Sequence, residues 1–179
     1  MTHKTHAVVG LTFGFIFSAL FNMNNHLYLI FAWLGALLPD IDHPKSKMGK
    51  LISIIPSLIN NKWGHRGLTH SFKGIVWVGI FSIPLMFLSP YASIYLLIGY
   101  ASHLFADSLT VSGVKLYYPS RETYGWKIIK TGSWEEDLFR LLLIMIVAGI
   151  GYEIGNFIVV LVMLPFIFNP KTINRMFKI

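Results

Sequence analysis

The stretch "GALLPDIDHPKS", residues 35–46, decides how the rest of the chain is read. An apolar, helix-forming run ends at Pro39, and Asp40, Asp42 and His43 follow within four positions. Carboxylates at the end of a membrane-type helix are costly unless a cation or metal neutralises them. A plain polar stop beside an inner membrane face would more economically be Lys or Arg. The acidic stop therefore asks for a cation.

Outward from this stretch the chain is strongly apolar. It has 179 residues, 54% of them hydrophobic and 13% charged, with a mean hydropathy of +0.59; an ordinary soluble domain is about one quarter charged. Residues 7–39, 74–102, 141–152 and 154–170 contain no Lys, Arg, Asp or Glu. The expected fold is all-α: a polytopic membrane helical bundle of about six helices, with a metal cluster at one membrane face. Helical segments are drawn over 6–22, 27–39, 70–88, 91–110, 136–152 and 154–169. A perpendicular span takes about 20 residues, so the shorter segments, such as 27–39, are expected to be partly inserted or sheltered by neighbours. The whole chain, 1–179, is read as one membrane-embedded domain. No small-residue cleavage site follows "MTHKTH", so the first helix is expected to be retained.

The connections differ in character. "NMNN" (22–25), "SP" (89–90) and "GYEIG" (151–155) are short, whereas 40–69 and 111–135 are long and basic. With six spans, both long loops, Lys4 and the basic tail fall on one side, which the positive-inside rule makes cytoplasmic. Basic residues recruited to hold a phosphate would give the same count. The net charge of +7 fits loops facing anionic headgroups, and nucleic acid is not an expected partner. "KLISIIPSLIN" (50–60) reads either as a segment along the interface or as packing beneath the loop.

Cysteine is absent, so disulfides and thiolate metal sites are excluded and any metal must be held by imidazole and carboxylate. His103 and Asp107 in "HLFAD" are four apart and share a helix face, placed either to grip one metal or to form a hydrogen-bonded pair. "GHRGLTHS" (64–71) offers His65 and His70, with Arg66 between them suited to a bidentate phosphate contact; an ordinary basic loop would look the same. Asp40 and Asp42 suit one ion or one ion each. His6 begins the first helix. "TGSWEED" (131–137) begins the fifth, with Ser133 or Gly132 as a cap and Glu135 or Glu136 in the first turn. Position decides among these readings. His6, Asp40, Asp42, His65, His70, His103, Asp107 and Glu136 all fall on one side of the expected membrane, while His26 and Glu153 belong to the other and are assigned no chemistry.

In these motifs the chain resembles the YdjM family of inner-membrane metal-dependent hydrolases. The likeness runs in order through His6, "LLPDIDHPKS" (37–46), "GHRGLTHS" (64–71), "GYASHLFADSLTVSGVKLYYP" (99–119) and "TGSWEE" (131–136). A family grouped with zinc-dependent phospholipases C and nucleases implies a helical fold and metal ions that attack phosphate esters. It also implies that His6, Asp40, Asp42, His65, His70, His103, Asp107 and Glu136 are the metal-binding positions. The expected activity is hydrolysis of a phosphoester on a lipid or lipid-linked substrate at the cytoplasmic face of a bacterial-type inner membrane. Two or three Zn²⁺, or Mn²⁺, about 3.5 to 4 Å apart would activate a bridging water. Arg66, with Lys45, would hold the phosphate, and Asp40 or Asp42 would orient or deprotonate the water; ligand and base are not separable by spacing. The rival reading is a non-catalytic membrane protein that uses the metal structurally or handles it. A metalloprotease is disfavoured because no H-E-x-x-H occurs, and Ser71 and Ser108 lack a nucleophile-elbow context.

Overall fold

The computed structural model describes residues 1–42, 67–153 and 158–167. Among them are seven α-helices: α1 (His3–Leu20), α2 (Leu29–Leu37), α3 (Phe72–Phe81), α4 (Ile83–Leu88), α5 (Pro90–Ser108), α6 (Trp134–Glu153) and α7 (Ile158–Ile167). Three short 3-10 turns, His26–Tyr28, Pro39–Asp42 and Leu68–His70, complete the helical set. No strand occurs among the described residues, only the isolated bridges Thr110–Ile129 and Val114–Tyr124.

Local chemistry sets the boundaries. α1 ends where Asn22 takes a left-handed φ of 52°. There the Met23 amide bonds the Ser18 carbonyl at 2.8 Å and the Asn22 amide bonds that of Ala19 at 3.4 Å, the crossed pair that satisfies terminal carbonyls. Asn25 accepts from the Leu27 amide at 3.1 Å and leads into α2. That helix ends at Leu37, and Pro39, which has no amide to donate to the helical ladder, opens the 3-10 turn Pro39–Asp42. The single helix expected over 70–88 is corrected to two, α3 and α4, broken at Ser82. Pro84 has no amide to donate to the carbonyl four residues back, while the Ser82 carbonyl accepts from the Met86 amide at 2.9 Å, opening α4, and from Ser93 Oγ at 3.0 Å.

α2 and α5 cross closely because two glycines face each other's backbone. A Cβ on Gly35 would overlap the Leu96 carbonyl oxygen, and one on Gly99 would overlap that of Ala32. Small residues permit this kind of approach between apolar helices. α1 lies across both, and the largest core joins Phe15, Ala32, Tyr95, Val147 and Met163 from five helices. Tyr95 satisfies its buried hydroxyl on Ser18 Oγ at 2.5 Å. The 109–133 loop returns to the end of α5, with the Trp126 amide on the Ser108 carbonyl at 2.8 Å and the Phe72 amide on that of Leu116 at 3.0 Å.

The charge-free stretches correspond to helices, but among the described residues no helix is both long and apolar enough to cross a membrane. α2 has 9 residues, roughly 14 Å of rise, against a hydrocarbon core of about 30 Å. The longer α1, α5 and α6 carry polar residues near one end: His3 and His6, His103 and Asp107, Glu136 and Arg140. Much of the surface is nonetheless apolar, with Phe81, Phe87 and Leu88 exposed by 76%, 87% and 85%.

Candidate metal centre

The α2–α5 crossing brings the C-terminal end of α2 against His103. The Ala36 carbonyl, one of the last four of α2 and without an intrahelical partner, lies 2.7 Å from His103 Nδ1. A carbonyl only accepts, so Nδ1 carries the proton and Nε2 presents a lone pair. His6 from α1 stacks on the same imidazole, with centroids 3.6 Å apart and planes within 10°. Asp107, one turn beyond His103, places Oδ2 3.8 Å from His103 Nε2 and Oδ1 3.3 Å from His6 Nε2.

The 3-10 turns on either side of 43–66 supply the rest. His70 Nε2 lies 3.2 Å from His103 Nε2, 3.7 Å from Asp107 Oδ2 and 3.8 Å from Asp40 Oδ1. Asp40 Oδ1 is also 4.0 Å from His103 Nε2. Two triads result, His6/Asp40/His103 and His70/His103/Asp107, each with donor atoms within 4.8 Å of one another. Ligands about 2.0–2.2 Å from a tetrahedral ion stand roughly 3.3–3.6 Å apart, so the donor set fits a bound divalent metal. The buried Nδ1 of His6 has no hydrogen-bond partner among the described residues, and the Met1 ammonium sits 2.5 Å from Asp107 Oδ1: a cation already lies against this carboxylate. Both triads use His103, which has one lone pair to give.

Electrostatics agree with this reading. Burial alone would lower the His70 pKa, but its contacts with Asp40 and Asp42 and the charges of Asp42 and Asp107 outweigh burial and raise it to about 9. Burial alone would raise that of Asp40, yet His70, His103 and His6 hold it below the usual carboxylate range. Asp40 is the most accessible of the five triad residues, its side chain 21% exposed against 0–1% for the others.

Of the residues singled out in the sequence, His6, Asp40, His70, His103 and Asp107 thus meet in one buried group. Asp42 is brought to its edge but enters neither triad. It accepts from Thr69 Oγ1 at 2.8 Å and stands 3.6 Å from His70 Nδ1, backing the imidazole from the side away from Asp107. Glu136 is not brought into the group: Thr2, Thr5 and the Gly132 amide take its oxygens. Lys45, His65 and Arg66 lie outside the described residues, as does the 50–60 segment. Sequence reasoning missed Thr69, the Ala36 carbonyl and Arg140. Arg140 had a signal, an arginine in an apolar helix three residues after Asp137; it bonds Asp137 Oδ1 at 2.5 Å and is buried. The other two are local donors and acceptors with no signature of their own.

Comparison with known proteins agrees with the ordered motifs. No solved structure matches the chain. An uncharacterized protein of Bacillus subtilis (strain 168), YvsG, is 34% identical over 145 residues, covering 77% of this chain and 86% of that protein. The inner membrane protein YdjM of Escherichia coli (strain K12) is 39% identical over 94 residues, 50% of this chain and 48% of its own length, and that of Shigella flexneri gives the same figures. The chain thus spans about half of those two relatives. The family model for the YdjM inner membrane protein matches residues 1–174, taking in every residue of the buried His/Asp group, and the chain belongs to the YdjM family.

Proposed function

We propose that this chain is a metal-dependent phosphoester hydrolase of the bacterial inner membrane, acting on a lipid or lipid-linked substrate from the cytoplasmic side. The observation that carries the reading is the convergence of His6, Asp40, His70, His103 and Asp107 from α1, α5 and two turns onto one buried position. Zn²⁺ or Mn²⁺ bound there, as two or three ions, supplies a water of lowered pKa and neutralises phosphoryl oxygens. His103 is held in the ligating tautomer by Ala36, and His70 is backed by Asp42 and Thr69. Asp40, the most exposed of the set, is the candidate for taking the proton from the attacking water. Arg66 and Lys45 are the candidates for holding the phosphate. The names of the relatives and the exposed apolar side chains of α3 and α4 support the membrane setting, in which the polar end of the bundle lies at the interface.

The second reading, a structural or metal-handling role, draws on the near-complete burial of four of the five triad residues. Activity separates the two. Detergent-purified protein loaded with Zn²⁺ or Mn²⁺ is expected to hydrolyse phosphatidylglycerol in mixed micelles or bis(p-nitrophenyl) phosphate. Asp107→Ala is expected to lose both metal and turnover. Glu153→Ala, exposed at the far end of α6, roughly 25 Å from Glu136 at 1.5 Å per residue, keeps both. A parent protein that holds metal and cleaves neither phosphoester would favour the second reading.

A further inference from the structure

We infer that Glu136 is a positioning residue, the latch that sets His6 in the metal centre, and is not itself a ligand; this rests on the proposed metal centre. The α1 N-terminus lacks a cap of its own. Its first turn has no acidic residue, and Thr2 at the N-cap makes no side-chain bond to the backbone of its own helix. Yet exposed amides at a helix start require acceptors, and a negative group is favoured there. Glu136, in the first turn of α6, provides both from another helix.

Its Oε1 accepts from the Thr2 amide at 2.6 Å, Thr2 Oγ1 at 2.8 Å and Thr5 Oγ1 at 2.6 Å. Its Oε2 accepts from the Gly132 amide at 2.7 Å, which ties the start of α6 to the same carboxylate. Three donors converge on Oε1 and one amide holds Oε2, and Glu136 is 1% exposed. One turn along, Arg140 Nη1 reaches Thr5 Oγ1 at 3.4 Å, so α6 grips α1 at two levels. The grip is transmitted to His6 directly. The His6 amide bonds the Thr2 carbonyl at 3.1 Å, and Thr5 is its neighbour in the chain. His6 in turn stacks on His103 and contacts Asp107. A side chain that holds a ligand's backbone in place acts on the metal through that ligand.

The two roles differ in how substitutions combine. A ligand contributes independently of His6, whereas a latch has nothing left to position once the imidazole is gone. Zn²⁺ affinity is measured by competition with a chromophoric chelator for the parent, Glu136→Gln, Thr5→Val, His6→Ala and His6→Ala/Glu136→Gln, with folding checked by thermal melting. Glu136→Gln and Thr5→Val are each expected to weaken Zn²⁺ binding about 10-fold, the lower end for residues that support a ligand. In the His6→Ala background, Glu136→Gln is expected to change affinity less than about 2-fold. At saturating Co²⁺ the visible spectrum of Glu136→Gln should match that of the parent, as the ligand set is unchanged. Thr5→Val, which removes a hydroxyl and keeps the shape, carries the test if Glu136→Gln does not fold. An undiminished effect of Glu136→Gln without His6, or a Co²⁺ band altered by it, would overturn the latch while leaving the metal centre standing. A parent chain that binds neither Zn²⁺ nor Co²⁺ would overturn both.

Discussion

His70 sits among three carboxylates, the His103 ring and the Thr69 hydroxyl, and its proton is the first thing a metal must displace. Asp40 and Asp42 outweigh the desolvation of its ring and raise its pKa to about 9. Because the shift is upward, the stabilisation it gives the metal-free fold is complete below the ordinary value of 6.5 and is lost as pH rises through about 9. Metal binding requires the neutral ring. Zn²⁺ uptake at pH 8 is therefore expected to release about one proton from His70, read as a dependence of the calorimetric enthalpy on the buffer's own protonation enthalpy. His70→Asn should abolish that release, and a parent enthalpy independent of buffer would contradict the assignment. The pairing of His103 with Asp107 was legible in the sequence, because a four-residue spacing on a helix leaves them one face to share. Asp40 and Asp42 were not separable. Two residues apart in a tight turn they point apart, one toward His103 and the other toward Thr69, and only the turn's geometry decides which.

The α2–α5 crossing determines whether His103 can reach Ala36. On an isolated helix, replacing Gly99 by Ala would gain about 1 kcal/mol of propensity. Here the added methyl overlaps the Ala32 carbonyl, and backbone against backbone has little room to relax, at a cost of about 1–3 kcal/mol or more. The overlap wins. Gly99→Ala is expected to lower the melting temperature and to weaken Zn²⁺ binding together, since separating the helices draws Ala36 away from His103 Nδ1; Gly149→Ala, with open space around it, should do neither. A Gly99→Ala protein as stable and as metal-competent as its parent would show that the close crossing is not what builds the site. Helix existence was legible from charge-free runs, and helix ends from Pro39 and Pro90. The break at Ser82 was less so. Pro84 was visible in the sequence, but a proline in an apolar run can either kink a helix or end it, and its presence alone does not say which.

The molecule gathers its ionisable side chains toward one end of a bundle whose flanks are apolar. His6, Asp40, His70, His103 and Asp107 meet at that end, while Phe81, Phe87 and Leu88 face outward. This polarity was legible as the sorting of histidines and acids to one side of the chain's alternating connections. What composition did not convey is that among the described residues no helix is both long and apolar enough to cross a membrane, because hydropathy counts residues and not the turns that interrupt them. Nor did it convey that Glu136 would be captured by threonines from the other end of the chain. The gathering of buried imidazoles and carboxylates is expensive unless a cation shares it, and that is the claim on which the rest depends. Its most direct test is elemental analysis of protein purified gently without chelator, followed by titration with Zn²⁺ and Mn²⁺. The account predicts at least about one transition-metal ion per chain, lost on His103→Ala. Well-folded protein carrying far less than one ion, and taking up none on titration, would contradict it.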